Sequence, residues 1–536
     1  MMSRLAARCA ALLLLFHACT VAGLAAPAPL APAAPARAAS AGVQPSLDPR
    51  ELSRRLHAAS PGLLWLSEGR ERARLALRLL NNAREHGLDP GAYGVDELAH
   101  RVENVRAPAA IAALDRDIST AMLQYLTELR FGRLASGYRP DKGALADLDP
   151  VEHLRGALAD GGLEQAVESA APSIPLYGRV KTTLAHYREL ARAVPRWPAL
   201  PPAGPGGIAP GMPWAGTALL CERLRLLGDL APGGGDACGD RYEAPLDAAV
   251  RRFQARHGLA QDGVLGPGTL AALAVPPSRR VTQLALTLER LRWLPPLPRG
   301  RIVAVNVPTY RLWAFDSTDG NTAPVLEMRV IVGTAVRTPT PLFIGQMRYL
   351  EFNPYWNVPP SILSNEIIPK LARHPAYLHQ NDMEVVGADG QVLRLAPDAA
   401  LDMLRRGAAR VRQRPGERNV LGEVKFAMPN PMNIYLHSTS SKELFDRTRR
   451  DMSHGCIRVE RPGELAQFVL ADPRRWDAGA VAAAMAPGDM RIVRLAKPVP
   501  VVVFYATALV DRDGKALFAQ DIYRQDDALA HQLDLR

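Results

Sequence analysis

Between Ile434 and Glu460 the chain reads IYLHSTSSKELFDRTRRDMSHGCIRVE, placing Cys456 directly behind His454 and Gly455 and nineteen residues after His437. A thiol and an imidazole are the two parts of an activated nucleophile. A free cysteine has a pKa of about 8.5, and a neighbouring imidazolium or polar backbone lowers it towards thiolate at neutral pH. The second ring nitrogen of such a histidine needs an acceptor, and with no carboxylate at the expected place the backbone carbonyl of Ser438 is a candidate. Gly455 allows close approach of the backbone, so its N–H and that of Cys456 are candidate donors to a tetrahedral oxyanion. Arg458 adds a cation on the same wall, suited to a carboxylate.

Plainer readings stand beside this one. A buried cysteine is commonly inert packing, and a single histidine is commonly a satisfied structural residue. The H-x-C spacing of His454 and Cys456 is not a usual zinc pair, and no fourth ligand is evident. A serine route through S-x-x-K meets Thr439, not serine, three residues before Lys442.

The elements that must carry these groups follow from hydrophobic period. MNIYLH reads as a strand with Met432, Ile434 and Leu436 on one face and Asn433, Tyr435 and His437 on the other. Cys456 then sits in a short segment before Pro462, which opens a helix that turns Leu465, Phe468 and Val469 inward. A strand-borne histidine and a loop-borne cysteine can meet through one excursion of the chain. Upstream, VLEMRVIVG alternates Leu326, Met328, Val330 and Val332 against Glu327, Arg329 and Ile331, so residues 301–500 read as a mainly β domain. Within it, about 360–415 reads as an insertion with helical pieces, and long insertions often cover a site.

The chain has 536 residues, 48% apolar and 22% charged, which calls for several folded domains rather than disorder. Arg4 and Arg8, an apolar run from Ala10 to Phe16 and small residues after it form a secretory signal over 1–26, with cleavage after Ala26 or at Ala36-Arg37-Ala38. Residues 27–45 read as an Ala/Pro-rich linker. Periods of three to four residues over 46–205 (Ile111, Leu114, Ile118, Met122, Tyr125, Leu129) indicate an α-helical scaffold. Residues 206–276 form a small helical unit, and 277–300 a connecting helix. Residues 501–536 are expected to pack on the catalytic domain. The net charge of +11 favours polyanions, of which an exported chain meets wall polymers and membrane surfaces before nucleic acid, while arginines spread along the chain rather than in a block equally fit a solvated surface. Export removes Cys9 and Cys19 and leaves Cys221, Cys238 and Cys456; the first two bracket a short loop and are a candidate disulfide.

With these residues in view the chain resembles known proteins. LDAAVRRFQARHGLAQDGVLGPGTLAAL is similar to the peptidoglycan-binding repeat of cell-wall enzymes. HSTSSKELF and MSHGCIRV resemble the signature of L,D-transpeptidases with a YkuD-type catalytic domain, and the likeness continues through VNVPTYRLWAF, MRVIVGTAVRTPTPLF and FNPYWNVPPSI. The whole is similar to the large YcbB-type subgroup, implying an α+β multidomain fold with a helical lid. The resemblance implies a cysteine acyltransferase that takes the acyl group from the third residue of a tetrapeptide stem, releases D-alanine and forms 3→3 cross-links. It implies Cys456 as nucleophile, His437 as general base and acid, Ser438 as its orienter, and Gly455, Cys456 and Tyr435 around the oxyanion. Arg458, Ser453, His454 and Asn433 would bind substrate, no metal or organic cofactor is used, and carbapenems would acylate Cys456. The partners it implies are peptidoglycan stem peptides and glycan, with other cell-wall synthases, in the periplasm, without nucleic acid or a transmembrane span in the mature chain. Two other readings keep the same residues: an L,D-carboxypeptidase or cross-link hydrolase with water as acceptor, and a wall-binding protein whose catalysis has lapsed.

Overall fold

The computed structural model describes residues 48–67, 69–134, 148–231, 241–296, 298–317 and 323–535. The expected signal and linker (1–45) and Cys238 lie outside them. Within them the chain is a multidomain α+β protein, helical first and β-rich after residue 300. Among the described residues no helix is long and apolar enough to cross a membrane.

The helical part runs through α1 (Pro49–Ala59), α2 (Glu71–Asn81), α3 (Val95–Asn104), α4 (Pro108–Phe131), α5 (Pro150–Asp160), α6 (Leu163–Ala170) and α7 (Pro175–Ala193). Asp-Pro pairs start α1 and α5: the Asp48 and Asp149 carboxylates accept the N–H groups of Arg50 and Val151, and proline fills a position whose N–H has no helical partner. After α2 a 3₁₀ turn over Asn82–His86 ends at Gly87, where φ is +72°. On α4 the residues Leu114, Ile118, Met122, Tyr125 and Leu129 are all buried, each at the spacing read from sequence. Asp115 on the same helix is 1% exposed and accepts the backbone N–H groups of Leu64, Trp65 and Leu66 at 2.9, 2.8 and 3.1 Å.

The next module holds α8 (Thr217–Leu226), α9 (Ala244–Arg256) and α10 (Pro267–Ala274) around Leu220, Tyr242, Val250, Phe253 and Leu273. Gln254 staples the turn after α9 by accepting from Gly263 N–H at 2.9 Å and donating to Asp262 Oδ1 at 2.9 Å. Only glycine fits at 263: φ is +72°, and a Cβ would stand 1.9 Å from Asp247 Oδ1. Helix α11 (Pro277–Arg292) then packs Leu284, Leu288 and Leu291 against Tyr177, Val180 and Leu184 of α7. It is a buried element of the helical core as well as a connection.

The β part comprises β1 (Arg301–Asn306), β2 (Arg311–Asp316), β3 (Pro324–Gly333), β4 (Phe343–Phe352), β5 (Trp356–Asn357), β6 (Met383–Val386), β7 (Arg410–Gln413), β8 (Val424–Ala427), β9 (Leu436–His437), β10 (Asp451–Ser453), β11 (Ile457–Val459) and β12 (Arg491–Phe504). The order β3-β11-β9-β8-β4-β12-β1-β2 returns to β3, because β2 also pairs antiparallel with β3 from Arg311↔Arg329 to Phe315↔Pro324. The sheet therefore closes on itself, and β10 pairs in parallel with the end of β3 outside that ring. Met328, Val330 and Val332 join Val303, Val305, Phe352, Phe426 and Leu436 in its core, each large apolar chain contributing about 1.5–3 kcal/mol. Ile331 is buried as well, so β3 is covered on both faces at its C-terminal end.

The insertion is mixed rather than purely helical. Helices α12 (Pro360–Ile362), α13 (Ile368–Arg373), α14 (Tyr377–Gln380) and α15 (Pro397–Arg405), with a π-helical turn over Leu363–Ile367, surround a small sheet of order β5-β7-β6. Helices α16 (Pro462–Leu470) and α17 (Ala478–Met485) lead back to β12, with Leu465 and Val469 buried as expected and Phe468 only partly so. Strand β12 continues to Phe504, so a boundary at 501 cuts a central strand. After it, the hairpin of β13 (Ala508–Val510) and β14 (Ala516–Phe518) packs with α7 and α11, and α18 (Gln525–Gln532) packs on Leu286 of α11. The C-terminal residues thus bind the helical core as well as the barrel.

Candidate active site

The strand expected over 432–437 is only two residues long. In PNPMN the side chain of Asn430 accepts the N–H groups of Met432 and Ile434, both at 3.1 Å, and Asn433 takes φ +53°. This turn leaves Met432 44% exposed instead of on the core face. From Ile434 onward the expected alternation holds. Ile434 and Leu436 enter the barrel core, Tyr435 packs towards the insertion, and His437 is 4% exposed.

Strand β9 pairs in parallel with β11, with Ile457 opposite Leu436 and Arg458 opposite His437. Ile457 N–H donates to Tyr435 O at 3.1 Å, so the excursion after His437 returns Cys456 alongside Tyr435. The half-buried thiol donates to Asn433 O at 3.6 Å, and Tyr435 lies near enough to influence its titration. The Tyr435 and His437 rings lie 5.6 Å apart. No hydrogen bond joins Sγ to His437 in this structure.

The electrostatics also differ from a resting thiolate beside an imidazolium. Burial, aided by the charge of Arg458, pushes the His437 imidazole down to about 3, so the ring is neutral at pH 7. Burial pushes the Cys456 thiol up, against contacts with Tyr435 and the charges of Lys425 and Arg458. Tyr435 is held well above its ordinary value by burial and then by Cys456, so it remains an O–H donor. The site at rest is a neutral thiol, a neutral imidazole and a phenol. Charge must arise during reaction, where Tyr435 and Arg458 are near enough to meet it.

His437 Nδ1 is buried with no hydrogen bond of good geometry among the described residues, although the Ser438 and Leu421 backbones lie close enough to the ring to oppose the effect of burial. Ser438 itself is fixed: its N–H donates to Val424 O at 2.9 Å and its hydroxyl donates to Glu423. Lys442 reaches the other oxygen of Glu423 at 3.0 Å. Burial alone would raise the Glu423 carboxyl, but the hydrogen bonds from Ser438 and Lys442 outweigh it and hold it low. Arg458 Nε is likewise buried without a partner among the described residues, and its guanidinium makes no ion pair there.

One expected oxyanion donor is occupied. Gly455, at φ +109°, donates its N–H to Ser453 Oγ at 3.2 Å, while that hydroxyl donates to Cys456 O at 2.5 Å. Ser453 thus folds the loop, and the Cys456 N–H is the donor left free among the described residues. His454 turns away to the insertion, where Nε2 meets Glu366 Oε1 at 2.6 Å. Burial would raise Glu366, yet the bonds from His454 and Lys370 keep its carboxyl low. Neither Glu423 nor Glu366 had a signal in sequence spacing, because strand pairing and the insertion bring them in from afar.

Among the described residues no group of three His, Cys, Asp or Glu side chains is gathered as a metal ion would require. Cys221 is buried in α8 and disulfide-bonded, while its expected partner Cys238 lies outside the described residues.

Comparison with known proteins meets this geometry. Residues 300–503 match the YkuD family model, an L,D-transpeptidase catalytic domain. Residues 57–184 match a scaffold domain model, and 217–273 match a model of a peptidoglycan binding domain. A Haemophilus influenzae protein named "Putative L,D-transpeptidase" is 32% identical over 247 residues, 46% of this chain and 48% of the relative, so the match spans about half of each. The crystal structure of the L,D-transpeptidase (residues 123–326) from Xylanimonas cellulosilytica aligns at 16% identity over 57% of this chain and 100% of that chain, with a TM-score of 0.17. The residues that carry Cys456 and His437 thus lie within a segment that matches the YkuD family of L,D-transpeptidase catalytic domains, in one chain with segments that match a scaffold domain and a peptidoglycan-binding domain.

Proposed function

We propose that this protein is a peptidoglycan L,D-transpeptidase that makes 3→3 cross-links through a thioester on Cys456. The observation that carries the reading is the half-buried Cys456 thiol beside Tyr435, with its own backbone N–H unpaired among the described residues and, nearby, an arginine without an ion pair. Sγ attacks the carbonyl of the third residue of a tetrapeptide stem, and the thiol proton passes to His437. The tetrahedral oxyanion takes hydrogen bonds from the Cys456 N–H and the Tyr435 hydroxyl. Collapse breaks the bond to D-alanine, whose nitrogen receives the proton from His437. The side-chain amine of a second stem then attacks the thioester, restoring the thiol and forming the cross-link.

A neutral buried imidazole suits this sequence, because it can accept a proton only when the thiol gives one up to an arriving carbonyl. Arg458 would take a stem carboxylate, with Ser453, His454 and Asn433 shaping the wall. The insertion, tied to His454 through Glu366, would be the lid. An extracytoplasmic place of work follows from peptidoglycan-acting domains; export by the N-terminal signal to the periplasm belongs to the same proposal.

The test is incubation of the purified protein with tetrapeptide muropeptides, read by mass. New dimers with loss of alanine are expected, together with a covalent carbapenem adduct on Cys456. Cys456→Ala should lose both while keeping its melting temperature. Dimer formation by that variant would overturn the reading, and trimmed stems without dimers would assign water as the acceptor.

A further inference from the structure

The Cys456 N–H cannot aim itself. It shares a planar, trans peptide unit with the carbonyl of Gly455, so the two groups point in opposite directions and whatever fixes one fixes the other. Gly455 at φ +109° supplies no steric restraint of its own on that unit. The restraint comes from Thr340, which lies 115 residues away in sequence and is 2% exposed: its hydroxyl donates to Gly455 O at 2.8 Å.

Thr340 is held in turn from two sides. Its Oγ1 accepts the Gly333 N–H at 2.8 Å, and its own N–H donates to the Tyr523 hydroxyl at 3.0 Å. That hydroxyl donates to Gly333 O at 2.6 Å, closing a ring of hydrogen bonds around the end of β3. The backbones here are so close that a Cβ on Gly333 would stand 1.9 Å from Thr338 O and 3.0 Å from Gly455 Cα. Tyr523 comes from the segment before α18, where its N–H donates to Tyr505 OH at 3.0 Å and the two rings stack at 5.8 Å. Tyr505 donates to Asp521, which also accepts the N–H groups of Gln525 and Asp526 at 2.9 and 2.8 Å.

We propose that Thr340 and Tyr523 are positioning residues for catalysis, which clamp the Gly455 carbonyl and so aim the Cys456 N–H at the developing oxyanion. The inference rests on the reading of Cys456 as the acylated nucleophile. A hydrogen bond to the carbonyl also polarises the peptide unit and strengthens its N–H as a donor. The C-terminal segment thereby contributes to the site without touching substrate.

The experiment compares two reactions of the same thiol in the full chain. Acylation by a carbapenem passes through an oxyanion; alkylation by iodoacetamide displaces iodide and forms none. Thr340→Val should slow acylation by ~10- to 100-fold, less than or equal to the loss of a whole oxyanion donor, with alkylation unchanged within about twofold. Tyr523→Phe should slow acylation less, and Thr340→Ser should restore it. Acylation by Thr340→Val at the wild-type rate would overturn the proposal, as would acylation and alkylation slowing in step, which indicates a thiol that has moved. A wild-type protein that alkylates but never acylates would overturn the reading of the site itself, which the variants then cannot rescue.

Discussion

The buried polar groups of α4 and those of the catalytic barrel are treated in opposite ways. Asp115 is 1% exposed and fully served, with three backbone N–H groups converging on its carboxylate. His437 and Arg458 are also buried, yet Nδ1 of one and Nε of the other have no partner among the described residues. A satisfied buried carboxylate organises the chain around it; an imidazole and a guanidinium that each keep one buried nitrogen unpartnered hold an interaction open at a cost in stability. Such a cost is tolerated where a substrate, absent from the resting protein, completes the bonds.

If the contrast is sound, substitutions in the two regions should separate stability from chemistry. The largest effect is expected from His437→Ala, which should cut cross-link formation by ~10²–10⁴-fold, the usual weight of a general base; a muropeptide assay read by mass checks it. Asp115→Ala should leave three buried N–H groups bare and destabilise by about 3 kcal/mol or more, measured by urea unfolding. The same variant, while folded, should acylate at the wild-type rate. A loss of acylation in Asp115→Ala without unfolding would break the comparison.

Acid should expose the buried imidazoles. His437 and His86 are both pushed down to about 3, chiefly by burial, whereas the unfolded chain takes up these protons near pH 6.5. Between those values the unfolded state binds more protons, so the contribution is complete above about pH 6.5 and is lost as pH falls towards 3. Urea midpoints at pH 7 and pH 4.5 should show the drop, and His437→Asn should lessen it. Arg458→Met should weaken stem binding by ~10- to 100-fold, as loss of a charged hydrogen-bond donor implies, while stability stays level or rises because no ion pair is broken. Smallest is Glu366→Gln: the pair with His454 is half-exposed, worth at most about 1 kcal/mol, so KM should rise by no more than ~fivefold.

Legibility in sequence followed the range of the interaction. The helical face of α4 and the β period of Met328, Val330 and Val332 are local properties of a few residues, and both are present in the structure. The strand assigned to MNIYLH was too long because Asn430 captures two backbone N–H groups and turns the chain, a side-chain competition that period alone does not register. Strand β12 runs past the boundary drawn at 501, to Phe504, because β1 and β4 pair with it on both sides.

Taken by itself, the sequence determined which groups are available. It supplied Cys456, His437, Tyr435 and Arg458, the glycine that frees the loop, and the domain order in which they sit. Only the tertiary structure decided their state. Closure of the barrel buries His437 and leaves it neutral, Ser453 takes up the Gly455 N–H, and Glu366 claims His454. Protonation and hydrogen-bond direction depend on what surrounds a group in space, and those neighbours come from strands and insertions dozens of residues away.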